Sequence, residues 1–143
     1  MYHAEISDFE TVKEIFYLHK KWFPHIRTDY MKRMIAKKNL ILENDVVITY
    51  NFYKRKQKIG DIQAFKDDCI LHQIAAKGKG TASDVLQRFF KFVNRRVYLS
   101  VRSDNEIAKI FYLRNNMKLV GKTSWAKGTL PGDVYVYNEN QVI

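Results

Sequence analysis

The chain has 143 residues, 46% of them hydrophobic and 28% charged, and its 25 Lys and Arg outnumber 15 Asp and Glu to give a formal charge of +10. That is the size of one domain, residues 1–143, with its own core, and the composition of a folded globular protein without a disordered tail. A lone cysteine, Cys69, excludes an internal disulfide and a zinc site built from several thiolates.

No apolar run approaches the roughly 20 residues that span a bilayer, and Met1 to Glu5 lack the charged-then-apolar pattern of a secretion signal. A cytoplasmic protein with no membrane partner and no metal is therefore expected. The positive charge draws polyanions of any kind: nucleic acid, the phosphates of a cofactor, or an acidic protein.

Tyr2 to Ile6 reads as a short strand. Ser7 and Glu10 are spaced as a capping box, so a helix is expected from about Asp8, with Val12, Ile15, Phe16 and His19 on one face and an end before Pro24. Thr28 is placed to cap a second helix whose apolar face carries Tyr30, Met31, Met34 and Ile35 and whose other faces carry Lys32, Arg33, Lys37 and Lys38. Leu40 to Glu43 and Val46 to Tyr53 read as a hairpin turning at Asn44 and Asp45. Lys54, Arg55, Lys56 and Lys58 form a basic loop, followed by a hairpin tip at Gly60 and Asp61.

Ile70 to Ala76 is a short apolar run that suits a buried strand. Lys77 to Ser83 then brings two glycines, and Val85, Leu86, Phe89, Phe90 and Val93 recur at helical spacing. Val97 to Val101 predicts a strand, Ser103 and Glu106 another capping box, and Ala108, Phe111 and Tyr112 a further helix. Lys118 to Trp125 and Val134 to Tyr137 supply two closing strands about a turn at Leu130, Pro131 and Gly132.

The strand, glycine loop and helix from Ile70 to Val93 carry the clearest chemistry. A helix start exposes free amides and the positive end of the helix dipole, and Gly78 and Gly80 let an anion approach the backbone closely. Lys77 and Lys79 add charge. The run is neither a Walker loop, which needs Gly-Lys-Ser/Thr, nor the dinucleotide fingerprint with its three spaced glycines.

Lys77, Gly78, Lys79, Gly80, Thr81 and Ala82 resemble the loop of the GNAT (GCN5-related N-acetyltransferase) superfamily: Gln or Arg, two variable residues, Gly, one variable residue, then Gly or Ala. Lys77 stands where Gln or Arg is usual, and the connection from Ala76 is shorter than is common there. Downstream, Asn105, Ala108, Tyr112, Asn116 and Met117 are similar to the superfamily's Asn, Ala, Tyr, Gly-Phe segment, with Asn116 able to take the left-handed conformation usually given to glycine.

The resemblance implies an α/β (α+β) fold with a mixed, mostly antiparallel central sheet of about six to seven strands flanked by about four helices. It implies acetyl-CoA, or another acyl-CoA, as donor substrate. Ile74, Ala75 and Ala76 would pair with its pantetheine arm, Lys77 to Ala82 would hold its pyrophosphate, and Asn105 would hold a cofactor amide or shape the helix start. Tyr112 would return a proton to the departing thiolate. An amine acceptor also needs a base, and His72, on the face of its strand shared with Ile74, is the first candidate, with Asp67 and Asp68 as alternatives.

The acceptor itself is not written in the sequence. The segment from His19 to Arg27, with Trp22 and Phe23, falls where the superfamily's variable acceptor lid sits. A nucleobase is an alternative acceptor: Lys32 to Lys38 and Lys54 to Lys58 are basic, Tyr50, Phe52 and Tyr53 lie beside the second stretch, and Asn115 to Asn138 loosely resembles the phage Mom proteins that modify adenine in DNA. A GNAT-like module that binds without turnover is a third reading. The oligomeric state, a homodimer included, is left open.

Overall fold

The structure, a computed structural model, describes residues 1–138. A 3-10 turn at Ile6–Asp8 leads into α1 (Phe9–Tyr17) and α2 (Thr28–Ala36), followed by β1 (Leu40–Glu43), β2 (Val46–Phe52), β3 (Gln57–Ile59), β4 (Ile62–Ala64) and β5 (Cys69–Ala76). The chain continues through α3 (Ala82–Val93), β6 (Val97–Arg102), α4 (Glu106–Arg114), β7 (Lys118–Trp125) and β8 (Leu130–Tyr137). Six strands form one sheet in the order β1-β2-β5-β6-β8-β7, and β3 and β4 form a second. β5 and β6 pair in parallel at Cys69↔Val97 and Ile70↔Tyr98, while β1–β2, β6–β8 and β7–β8 are antiparallel. The fold is thus the mixed, mostly antiparallel α/β arrangement expected from the sequence. The chain divides into two compact units, Met1–Tyr50 with His72–Phe89, and Asn51–Leu71 with the chain from Phe90 onward.

In the first unit the helical spacing of apolar residues decides the packing. Val12, Ile15 and Phe16 of α1 and Met31, Met34 and Ile35 of α2 close on Ala4, Leu40, Val47 and Ala75. Each large side chain so withdrawn from water stabilises by roughly 1.5–3 kcal/mol. Asn44 and Asp45 turn the β1–β2 hairpin with φ of 49° and 60°, the two left-handed positions of a type I′ turn.

Three local expectations differ from what forms in this unit. The strand expected at Tyr2 to Ile6 is a single bridge, His3↔Ile41, because residues 6–8 wind into the 3-10 turn. The capping carboxylate is Asp8 rather than Glu10, accepting the Glu5 N–H at 2.9 Å and the Tyr2 hydroxyl at 2.6 Å. At α2 the cap position is Arg27, one residue before Thr28.

In the second unit, Ala64, Ile70, Tyr98, Val134 and Val136 form the core, and Phe90 stacks on Tyr137 with ring centroids 3.9 Å apart. The β3–β4 hairpin is fastened to β7: Asp61 donates its N–H to the Lys122 carbonyl at 3.0 Å, and its carboxylate accepts the Lys122 N–H at 2.8 Å. Gly60 turns this hairpin at φ +59°, and a Cβ there would fall 2.1 Å from the Lys122 oxygen.

Two expectations are corrected here as well. Asn105, not Ser103, caps α4, accepting the Ala108 N–H at 3.2 Å. The last turn lies at Ala126 to Gly128, all at positive φ, while Leu130, Pro131 and Gly132 belong to β8. Pro-Gly usually marks a turn. Here the β6 ladder begins at Gly132, so Pro131 forfeits no bond to it, and Gly132 makes room for the Trp125 ring, which a Cβ would meet at 2.4 Å.

Ser103 has another partner. Asp133, 1% exposed, accepts from the Ser103 hydroxyl at 2.7 Å and from the ammonium groups of Lys122 at 2.7 Å and Lys109 at 3.2 Å. Burial alone would raise its pKa, yet these donors overcome it and hold the carboxyl down to about 2, below the ordinary 3.8. A carboxyl depressed on folding stabilises above its unfolded value and loses that contribution as pH falls through its folded value. Asp133→Asn is expected to cost about 2 kcal/mol near pH 7 in urea unfolding, with the gap to wild type closing between about pH 4 and pH 2.

Candidate functional site

β5 ends at the glycine loop, and the last backbone groups of the strand are taken up by the protein itself. The Ala76 carbonyl accepts from His19 Nε2 at 2.8 Å, and the Lys77 N–H donates to the Asp45 carbonyl at 2.9 Å. Past Lys77 the next backbone bond is made by the Val85 N–H, to the Thr81 carbonyl at 3.1 Å. Among the described residues, the amides of Gly78, Lys79, Gly80, Thr81 and Ala82 have no backbone partner, and they precede or open the first turn of α3. The Thr81 hydroxyl donates to the Asn44 carbonyl at 3.3 Å and ties the loop to the β1–β2 turn.

Gly78 and Gly80 are exposed, and a Cβ on either would meet nothing within 4 Å. Gly80 sits at φ +88°, which explains its identity. Gly78 has neither a positive φ nor a crowding neighbour, so the fold places no demand on it. The two lysines differ: the Lys77 ammonium is paired with Glu14 at 3.0 Å, while among the described residues Lys79 makes no ion pair. Amides without backbone partners, a helix start and a lysine without an ion pair among the described residues are the groups that phosphate oxygens can use.

Beside β5 the segment between α1 and α2 borders a cavity of about 480 Å³, lined by residues 22–27 with Tyr30, Arg33 and Gln73. Its floor is a polar network. The Gln73 Oε1 accepts from the Tyr30 hydroxyl at 2.9 Å and from the Thr49 hydroxyl, while the Gln73 N–H donates to Thr49 Oγ1 at 3.1 Å. Trp22 and Phe23 are half-buried, and Phe23 packs edge-on against Phe16 with centroids 5.9 Å apart.

Gln73 and Ala75 face the helices α1 and α2, so alternation puts His72 and Ile74 on the other face of the strand. His72 is exposed by its accessible surface, while the protein mass around its ring disfavours charge and lowers its pKa. Gln73, which cannot serve as a base, is the strand residue that reaches the cavity. Tyr30 and Arg33 escaped the sequence reading as site residues because they were absorbed into an amphipathic helix. The visible signal was a Tyr beside the core positions Met31 and Met34.

In the second unit, Tyr112 is 8% exposed, its ring 5.9 Å from that of Tyr135 and edge-on to Phe111 at 5.6 Å. Burial pushes its phenol well above the ordinary value, so it is protonated at neutral pH, and among the described residues its hydroxyl makes no hydrogen bond. Asn116 holds φ 67° after α4, as its likeness to a helix-ending glycine implied, and Met117 is buried. The side-chain oxygen of Asn105 is used as the helix cap.

The basic stretches offer less than the sequence suggested for stacking bases. Tyr50 is 3% exposed and packs edge-on against Phe89 at 5.2 Å. The guanidinium of Arg95 lies over the Phe52 ring at 5.2 Å, and the Lys32 ammonium lies over Phe9 at 4.7 Å. Lys54, Arg55 and Lys56 are exposed. Among the described residues no helix is long and apolar enough to cross a membrane, and no cluster of His, Cys, Asp or Glu could hold a metal ion.

No protein-family model matches the sequence, and no curated protein sequence does. Solved structures are similar in shape. A GNAT-family acetyltransferase from Bacillus cereus superposes with a TM-score of 0.74 over 96% of this chain and 94% of that one, at 17% identity. NAA60 of Arabidopsis thaliana in complex with acetyl-CoA gives 0.70 over 95% and 96%, at 14% identity. The ribosomal-protein-alanine N-acetyltransferase of Brucella melitensis gives 0.70 over 95% and 97%, at 10% identity. The chain has the GNAT fold.

The polar floor of the cavity yields a stability test. Thr49 is fully buried, and an isosteric Thr49→Val would leave Gln73 without partners for its N–H and for one lone pair of its side chain. The expected cost is about 1–3 kcal/mol in denaturant unfolding. Loss of well under that range would mean that Gln73 finds water instead.

Proposed function

We propose that the chain, acting as one domain, is an acyl-CoA-dependent N-acyltransferase that moves an acetyl group from acetyl-CoA to an amine by direct attack. The observation that carries this reading is the run of unpartnered amides from Gly78 to Ala82 on a GNAT fold, with Gly78 left bare where the fold makes no demand for glycine. A structural neighbour was solved with acetyl-CoA, which makes that donor the natural occupant.

In this reading the diphosphate of the donor rests on those amides and Lys79, and the pantetheine arm runs along Ile74, Ala75 and Ala76. The acceptor enters through the cavity beside α2. Its ammonium loses a proton to His72, through water at the strand edge because His72 lies on the face away from the cavity. The free amine attacks the thioester carbon, the C–N bond forms, and the C–S bond of the tetrahedral intermediate breaks. Tyr112 donates the proton that the thiolate takes up and regains one from the proton that the nitrogen sheds as the amide forms, a role supported by its protonated, unpartnered phenol. Asn105, its side-chain oxygen used as a cap, keeps its amide N–H groups for a cofactor carbonyl.

Acetyl-CoA at a hundred times its Kd should stabilise the protein by roughly 2.7 kcal/mol in thermal unfolding. Gly78→Ala should keep the stability of the unliganded protein and weaken CoA binding by about tenfold or more, a loss of about 1.4 kcal/mol or greater. Tyr112→Phe should keep CoA affinity and lower kcat by about 10²–10⁴-fold. No stabilisation by acetyl-CoA would sink the reading. Stabilisation without thiol release across an amine panel would leave a binding module.

A further inference from the structure

We infer that the acceptor taken by the cavity beside α2 is a small amine that also carries an anionic group, with Arg33 as the residue that selects for it. This rests on the acyltransferase reading and adds the substrate class.

Charge decides the class. Among the described residues no Asp or Glu lines the cavity, whereas Arg27, Arg33 and His25 do. Arg27 is engaged through Nε with Asp29 at 3.1 Å. Arg33 has no carboxylate partner among the described residues, and its guanidinium lies over the Tyr30 ring, 5.7 Å from the centroid. That contact uses the face of the guanidinium and leaves its N–H donors, which lie in the plane, to a ligand. Arg88 is paired with Glu43 and Asp84, Arg96 with Asp68, and Arg102 with Asp104.

A carboxylate is the planar two-oxygen partner that such a fork binds, and a phosphate offers the same oxygens. The apolar wall of Trp22, Phe23 and Ile26 suits the hydrocarbon body of the acceptor. The Gln73 side-chain oxygen already accepts two hydroxyls, so its amide N–H groups can donate to a second oxygen of the ligand. A polyamine or aminoglycoside would set further ammonium groups against Arg27 and Arg33. These cations also disfavour the protonated form of the acceptor amine, which helps it reach the nucleophilic state.

The test uses matched pairs of amines: phenylalanine against phenethylamine, O-phosphoethanolamine against ethanolamine, and spermidine as the cationic probe. Binding is measured calorimetrically with and without CoA, and transfer is followed as thiol release from acetyl-CoA. The anionic member of a pair should be favoured by about tenfold or more. Arg33→Gln should abolish that preference, and Arg33→Lys should restore part of it, with CoA affinity unchanged in both. A larger preference within the phosphate pair than within the carboxylate pair would assign the anion as phosphate. Equal or better use of phenethylamine or spermidine, or a preference that survives Arg33→Gln, would overturn the inference. If CoA does not bind but Arg33-dependent retention of phenylalanine over phenethylamine persists, the acyltransferase reading fails and the anion site stands.

Discussion

The backbone between β5 and α3 is released from its own hydrogen bonding at the point where a helix begins. Most buried polar groups of a protein are paired, so amides left without backbone partners tend to lie where water or a ligand can reach them. Here they lie on an exposed loop, with the start of a helix behind them and Lys79 among them. The surrounding contacts keep this opening in place. His19 holds the Ala76 carbonyl, Asp45 holds the Lys77 amide, and Thr81 is tied to Asn44, so the loop is anchored at both ends while its middle stays bare.

The cavity beside α2 shares β5 with that loop. Gln73, half-buried and hydrogen-bonded to Thr49 and Tyr30, sits immediately before the residues proposed to pair with the pantetheine arm. In the proposed reading, a short stretch of one strand would serve the acceptor side through a side chain and the donor side through its backbone. A valine in place of Gln73 or Thr49 would pack, but it would leave the cavity without a polar floor.

Elements with strong periodicity or turn chemistry were legible in the sequence. Asn44-Asp45 specified a hairpin turn, and the apolar spacing of residues 85–93 specified a helix. Both formed as read because local preference and tertiary packing agree there. What was misread involved residues whose partners are distant in sequence. Ser103 was taken for a cap, but its hydroxyl serves Asp133. Pro131 and Gly132 read as a turn because their usual meaning is local, whereas here they serve the end of a ladder and the Trp125 ring.

The candidate site was legible to the same degree. Gly78, Gly80, Tyr112 and His72 stood out by residue type and spacing, and they occupy an exposed loop, a buried helix face and a strand as expected. Lys77 did not keep its role as a free cation, because Glu14, a helical residue far away in sequence, lies within 3.0 Å. Tyr30, Arg33 and Gln73 were invisible as a set, since a cavity formed by a loop, a helix and a strand has no sequence signature of its own.

The central claim, that the amides between β5 and α3 receive the diphosphate of a coenzyme A thioester, can be read directly by titrating the 15N-labelled protein with CoA and following its backbone amides by NMR. The account predicts that the resonances of Gly78, Lys79, Gly80 and Thr81 shift furthest and saturate together, and that CoA lacking its diphosphate leaves them in place. Saturable binding that shifts amides elsewhere while these stay still would contradict it.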